Sequence, residues 1–219
     1  MKAYTTLYDD VVPELPGAEL GMVLHQIKRT CNDFYERTLY SREVLPGINV
    51  VANTATYTVA PSDAANFEVG KILEVRLVSA ASSNATPYKM LARTPEQLDI
   101  DMPDWDASTG APKFYAQRAI DQVTLAYIPA SASLAGLIVT IAKLPLYAGV
   151  GIDDAIYEKF SEALGYGVKG RMMRMPKKPW SNPTLATNYL AMFDNEVAGA
   201  SAIAAKGFGR APLRSRSYA

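Results

Sequence analysis

The side chains that most often perform chemistry are scarce in this chain. It has one histidine, His25, and one cysteine, Cys31, so the residue types needed for a histidine metal cluster, a structural zinc site or a Ser-His-Asp hydrolase are missing. A lone histidine in a helical stretch reads as a surface or partly packed side chain rather than a ligand. Asp99, Asp101, Asp104 and Asp106 concentrate hard oxygen donors as calcium loops do. They lack the glycine such loops need at the sharp turn and have Pro103 instead, so a solvated loop is the better reading. Asp153 and Asp154 could in principle share acid–base work, but adjacent helical positions point in different directions and helix capping explains them better. No glycine-rich phosphate loop follows a strand, which leaves nucleotide binding without support. The chain is therefore expected to have no catalytic residue, no metal and no cofactor.

Two basic stretches remain. Lys169, Arg171, Arg174, Lys177 and Lys178 form the densest positive cluster, interleaved with Met172, Met173 and Met175. One reading is a solvated helix end whose charges favour the C-terminal dipole. The other is a contact to phosphate or to the acidic rim of a partner. Aromatics do not alternate with these charges, so the nucleic-acid signal is weak. The last thirteen residues, GFGRAPLRSRSYA, set Phe208, Leu213 and Tyr218 among Arg210, Arg214 and Arg216. Aromatics with arginine are what binding hot spots use. The glycines and proline prevent a stable helix, so the stretch is expected to be an arm that orders on another subunit.

The background is neutral. The 219 residues include 22 basic and 22 acidic side chains, so no global field draws the molecule to DNA or to an acidic membrane, and any charged contact must be local. The start, MKAYTTLYDD, has neither the basic nor the apolar region of a secretory signal. With a single cysteine, synthesis in a reducing cytoplasm is expected. No apolar run approaches the roughly 20 residues of a membrane-spanning helix. Zero net charge and thirteen tyrosines give little self-repulsion, which favours self-association.

The elements that must position these residues fall into three parts. After the proline-stiffened PELPG, Leu20, Leu24, Ile27, Cys31 and Phe34 recur at helical spacing, and Leu45-Pro46-Gly47 ends the pattern. From there to Gly149 the period is two. Strands are expected at 54–59, 72–78 and 137–142, with a hairpin between 112 and 128, which suggests an antiparallel sandwich or open barrel. The helical period then returns with Ile156, Phe160, Leu164, Val168 and Met172, although Gly165, Gly167 and Gly170 interrupt it. Such glycines usually let another backbone come close. Ser181-Asn182-Pro183 starts a third helix, with Leu185, Tyr189, Met192, Phe193, Val197, Ala200 and Ala204 on one face. Each helix has one apolar stripe and must bury it against another. The expected fold is thus α+β: a small three-helix bundle from 1–44 and 150–206, a large inserted antiparallel β-sandwich or barrel-like unit at 45–149, and an extended arm at 207–219.

The order of short segments, PELPG, DFYERT, GAPKFY, LAYIPA, AKLPLYA and MPKKPW, resembles the head-to-tail adaptor proteins of tailed bacteriophages, from about Asp9 to Arg216. The resemblance implies a virion structural protein at the head–tail junction, forming a homo-oligomeric ring of about twelve copies that matches the portal's symmetry through closed heterologous contacts. It implies a portal protein above, a tail or nozzle protein below, an arm reaching into the portal, and viral DNA passing through the lumen without sequence-specific binding. The lack of net positive charge departs from a strongly electropositive lumen and suits a channel that must not grip its DNA. Two readings from other classes stay open. A tail-associated cell-wall hydrolase would need a deep pocket with two carboxylates. A sheet-based receptor- or carbohydrate-binding module would show an exposed aromatic platform around Trp105 and Tyr115.

Overall fold

A computed structural model describes residues 1–78 and 86–206, which are mixed α+β. The chain divides into two compact units, one built from Met1–Ser41 with the chain from Tyr147 onward, the other from Arg42–Leu146.

The first unit is helical: α1 (Tyr4–Val11), a 3-10 turn (Val12–Glu14), α2 (Leu20–Thr38), α4 (Asp154–Met173) and α5 (Pro183–Ala205). The bundle therefore gains a fourth helix over the three expected. Tyr4, Leu7 and Val11 of α1 are buried at steps of three and four, and α1 packs on both α2 and α4. That extra cover moves the buried face of α2. Val23, Ile27, Cys31 and Phe34 are inaccessible, whereas Leu20, expected in the stripe, is 48% exposed and Leu24 is half-buried. Helix α2 ends at Leu39, which takes a left-handed conformation and returns its N–H to the Tyr35 carbonyl. In α4, Phe160 departs from helical geometry, and its ring lies 5.0 Å from those of both Phe34 and Tyr40.

Helix α5 starts where Asn182 caps it, accepting the Leu185 N–H at 3.1 Å. Its core face is Ala186, Phe193, Val197, Ala200 and Ala204; Met192 is 47% exposed. Gly170 brings the α5 backbone close, since a Cβ there would lie 3.1 Å from the Ala186 carbonyl oxygen. Gly167 instead makes room for side chains: its Cβ would meet Thr30 Cγ2 at 2.5 Å and the Phe193 ring at 2.9 Å.

The second unit is β-rich. Its spine is the antiparallel pair Phe67–Leu77 and Ser133–Pro145, in register from Leu137↔Leu77 to Pro145↔Phe67. Two register shifts interrupt the pair, and such bulges bend a strand and increase its twist. Arg42–Val44 and Ile48–Val50 also pair with Ser133–Pro145, and Tyr88–Lys89 pairs with Phe67–Leu77. A second sheet orders Thr56–Thr58, Gln122–Ala126, Phe114–Ala116 and Leu91–Ala92. It contains the expected hairpin, with Leu125 opposite Tyr115. Two short pairings are parallel, Leu91–Ala92 with Phe114–Ala116 and Ile128–Pro129 with Thr109–Gly110. Both sheets contribute to one core, in which Val75, Leu137 and Val139 meet Tyr57, Val123 and Leu125. A satellite core holds Leu98, Trp105, Ala116 and Ala126 beside the short helix α3 (Pro95–Asp101).

Candidate functional site

The basic cluster of α4 is divided by its partners. Lys169 Nζ donates to Glu14 Oε1 at 2.6 Å, and the Tyr189 hydroxyl donates to Glu14 Oε2 at 2.6 Å. The Tyr189 ring stacks on Tyr166 at 5.7 Å. The hydrogen bond from Lys169, then that from Tyr189, holds the Glu14 carboxyl below its usual range. The same carboxylate, as acceptor, is the largest cause pushing the Tyr189 phenol up to about 12. Arg171 pairs with Asp33 at 2.7 Å. Arg37 lies 3.6 Å from Asp33 and pairs with Asp194 of α5 at 2.7 Å. Lys169 and Arg171 thus tie α4 to the 3-10 turn and to α2.

Arg174, Lys177 and Lys178 are different. They are exposed on the turn between α4 and α5, where Lys177 takes a left-handed backbone conformation. The Lys178 ammonium sits 5.7 Å over the ring of the buried Trp180. Among the described residues none of the three makes an ion pair, and no Asp or Glu occurs anywhere from 163 to 193. The turn is an open basic surface. The arm residues Phe208, Arg210, Leu213, Arg214, Arg216 and Tyr218 lie outside the described residues.

The other candidates resolve into packing. His25 Nδ1 meets the Tyr147 hydroxyl at 2.5 Å on an exposed face. Asp99 accepts the Trp105 indole N–H at 2.7 Å, and Asp106 pairs with Arg118 at 3.2 Å. Among the described residues no group of His, Cys, Asp or Glu could hold a metal ion. Asp153 occupies the N-cap position of α4 but its side chain makes no capping bond. Its carboxylate accepts the Ser41 hydroxyl instead, and its N–H donates to the Tyr35 hydroxyl at 2.9 Å. The helix starts at the expected N-cap position, but the expected capping bond from the Asp153 side chain is not formed.

Trp105 and Tyr115 form no exposed platform, because they are 1% and 6% exposed. The indole N–H is satisfied by Asp99, so the ring can enter the satellite core at little polar cost. Two crevices of about 440 Å³ lie in the β-unit, one along Val50, Tyr88, Pro112 and Pro129, the other along Met102, Lys113, Phe114 and Tyr127. Neither lining includes a carboxylate, so neither offers the acid pair of a glycoside hydrolase.

The chain thus comprises two compact units, the first of which carries an open basic turn. Compared with known families, it matches the model of the SU10 adaptor protein over residues 4–216. The chain belongs to the SU10 adaptor protein family. The match runs through both units, so the resemblance first seen in the short segments from PELPG to MPKKPW extends over nearly the whole sequence. No curated protein sequence matches it. Membership assigns this adaptor a structural role in a bacteriophage. Among the described residues no helix is long and apolar enough to cross a membrane.

Proposed function

We propose that this adaptor closes into a ring of about twelve copies beneath the portal, joins the DNA-filled capsid to the tail and continues the DNA channel. The observation that carries the reading is the family match from residue 4 to residue 216, which takes in the helical unit, the β-unit and most of the arm. In this reading 1–44 with 150–206 is the adaptor domain, 45–149 is an inserted β-domain, and 207–219 docks in the portal. The tail or nozzle protein binds below. The adaptor works by binding alone, without catalysis or a cofactor. Its zero net charge suits a lumen through which DNA slides without being held.

The arm's chemistry supports portal docking. Phe208, Leu213 and Tyr218 can fill apolar pockets while Arg210, Arg214 and Arg216 pair with acidic groups beside them. Ordering such a segment costs about 1–2 kcal/mol of backbone entropy per residue, so one arm binds weakly. A ring makes every later attachment effectively intramolecular, and the assembled contact becomes long-lived. The test is co-sedimentation of purified portal with the full chain and with a chain lacking 207–219. The full chain should travel with the portal and the truncated chain should stay behind. Equal occupancy by both would exclude the arm as the anchor and turn attention to the basic 169–178 region.

A further inference from the structure

The helical unit carries one exposed acidic cluster and one exposed basic cluster, with Lys2 and Lys159 exposed beside the first. The first half of α4 presents Asp154, Glu158 and Glu162 at steps of four, all exposed, and α1 adds the exposed Asp9 and Asp10. These two face Tyr157 of α4, whose phenol is raised first by desolvation and then by the Asp10 and Asp9 carboxylates. Some of this charge is answered inside the unit. Asp154 holds the Met1 ammonium at 2.7 Å, Glu162 accepts the Tyr166 hydroxyl, and Lys2 lies 5.9 Å over the Tyr157 ring. The nearby Lys159 donates to the Tyr40 hydroxyl. Asp9, Asp10 and Glu158 have no ion pair among the described residues. Asp154, in the first turn, gains from the dipole of α4, but like charges four apart weaken a helix, so Glu158 and Glu162 add nothing to that gain.

At the other end of this helix, about 30 Å away for twenty residues, Arg174, Lys177 and Lys178 form the open basic turn. The helix dipole favours acid at the start and base at the end. It does not account for acids on a second helix, or for two lysines beyond the last turn. Acidic and basic side chains nearly balance over the described part of the unit, so a polyanion approaching it would meet as much repulsion as attraction at long range. A second copy would meet a complementary face at each end.

We propose that the Arg174–Lys178 turn of one copy docks against the Asp9, Asp10 and Glu158 face of the next. The inference rests on the ring reading and names the contact that builds the ring. The two patches differ, so the contact is heterologous and runs head to tail, as ring closure requires.

The test uses the full chain in two charge-reversed forms, Lys177→Glu/Lys178→Glu and Asp9→Lys/Asp10→Lys/Glu158→Lys, with circular dichroism confirming the fold. Assembly is measured by sedimentation velocity, alone and with purified portal. Each variant by itself should associate at least about tenfold more weakly than the wild type, because like charges then face each other. An equimolar mixture should recover assembly, since every reversed turn meets a reversed face. Wild-type association should weaken with salt. Variants that assemble as well as the wild type, or a mixture that stays apart, would overturn the contact and leave the ring reading standing. If such normally assembling variants lose retention on DNA, the turn is a nucleic-acid contact instead. A wild-type chain that remains monomeric even with portal would overturn the ring reading, and this contact with it.

Discussion

Two glycines two residues apart in α4, on different faces of the helix, should respond oppositely to the same substitution. Alanine is favoured over glycine in a helix by about 0.5–1 kcal/mol, and that gain is common to Gly165→Ala and Gly167→Ala. A Cβ at 165 meets nothing within 4 Å, so the gain stands and the helical unit should be stabilised by about that amount. A Cβ at 167 falls 2.5 Å from Thr30 Cγ2 and 2.9 Å from Phe193 Cδ2. Neither neighbour is a free chain end: Thr30 is fully buried on α2, and Phe193 is 1% exposed. Forcing a methyl into such a site costs about 1–3 kcal/mol. The propensity term cancels between the two variants, so their difference should be about 1–3 kcal/mol, with Gly167→Ala the less stable. Urea unfolding followed by Trp180 fluorescence in a Trp105→Phe background measures this in the helical unit, because Trp180 lies on the turn between α4 and α5. If Gly167→Ala raises the midpoint as much as Gly165→Ala, the packing of α4 against α2 and α5 is not as described.

Phe34→Ala should destabilise the helical unit by about 3–5 kcal/mol, since Phe34 is inaccessible and pairs with Phe160; the same urea midpoint checks it. Cys31 is fully buried and desolvation pushes its thiol well above the ordinary range, so a thiol reagent at pH 8 should react only in denaturant, with rapid native labelling as the contrary result. Glu14, held below its ordinary 4.5, contributes stability that is present above that value and is lost as pH falls through the depressed one. Tyr189, raised from 10.0 to about 12, contributes stability that is complete below 10 and is lost as pH rises toward 12. Glu14→Gln should therefore flatten the stability profile at both ends, which pH-resolved thermal unfolding will show.

Much of the fold was legible because its longest elements have the plainest periods. Helices α2, α4 and α5 follow the apolar spacing, and Asn182-Pro183 marks the start of α5. The strands Phe67–Leu77 and Ser133–Pro145 lie where β-branched residues concentrate. Helix α1 was missed although Tyr4, Leu7 and Val11 have helical spacing, because eight residues give too few turns to stand out. Helix α3 was also missed, yet Thr94 and Gln97 form a capping box that Thr-Pro-Glu-Gln announces. Two-residue strands such as Leu91–Ala92 have no local signature, since their pairing is set by the sheets around them. For the candidate site, the density of positive charge was visible but its division was not. The partners that occupy Lys169 and Arg171 are Glu14 and Asp33, 155 and 138 positions away, and only the packed helices bring them together. The partner of Trp105 is near in sequence, since Asp99 is only six positions away, but a run of spaced aspartates reads as a solvated loop and hides the bond.

The proposed function stands or falls with the contact between the arm and the portal. Single-particle imaging of the purified chain bound to its portal tests it most directly. The expected image is a closed ring on the tail-facing side of the portal, with copies in register with the portal subunits and 207–219 as ordered density inside the portal wall. Portal particles with a bare tail-facing surface, or a ring attached through the β-unit with the arms pointing away, would contradict it.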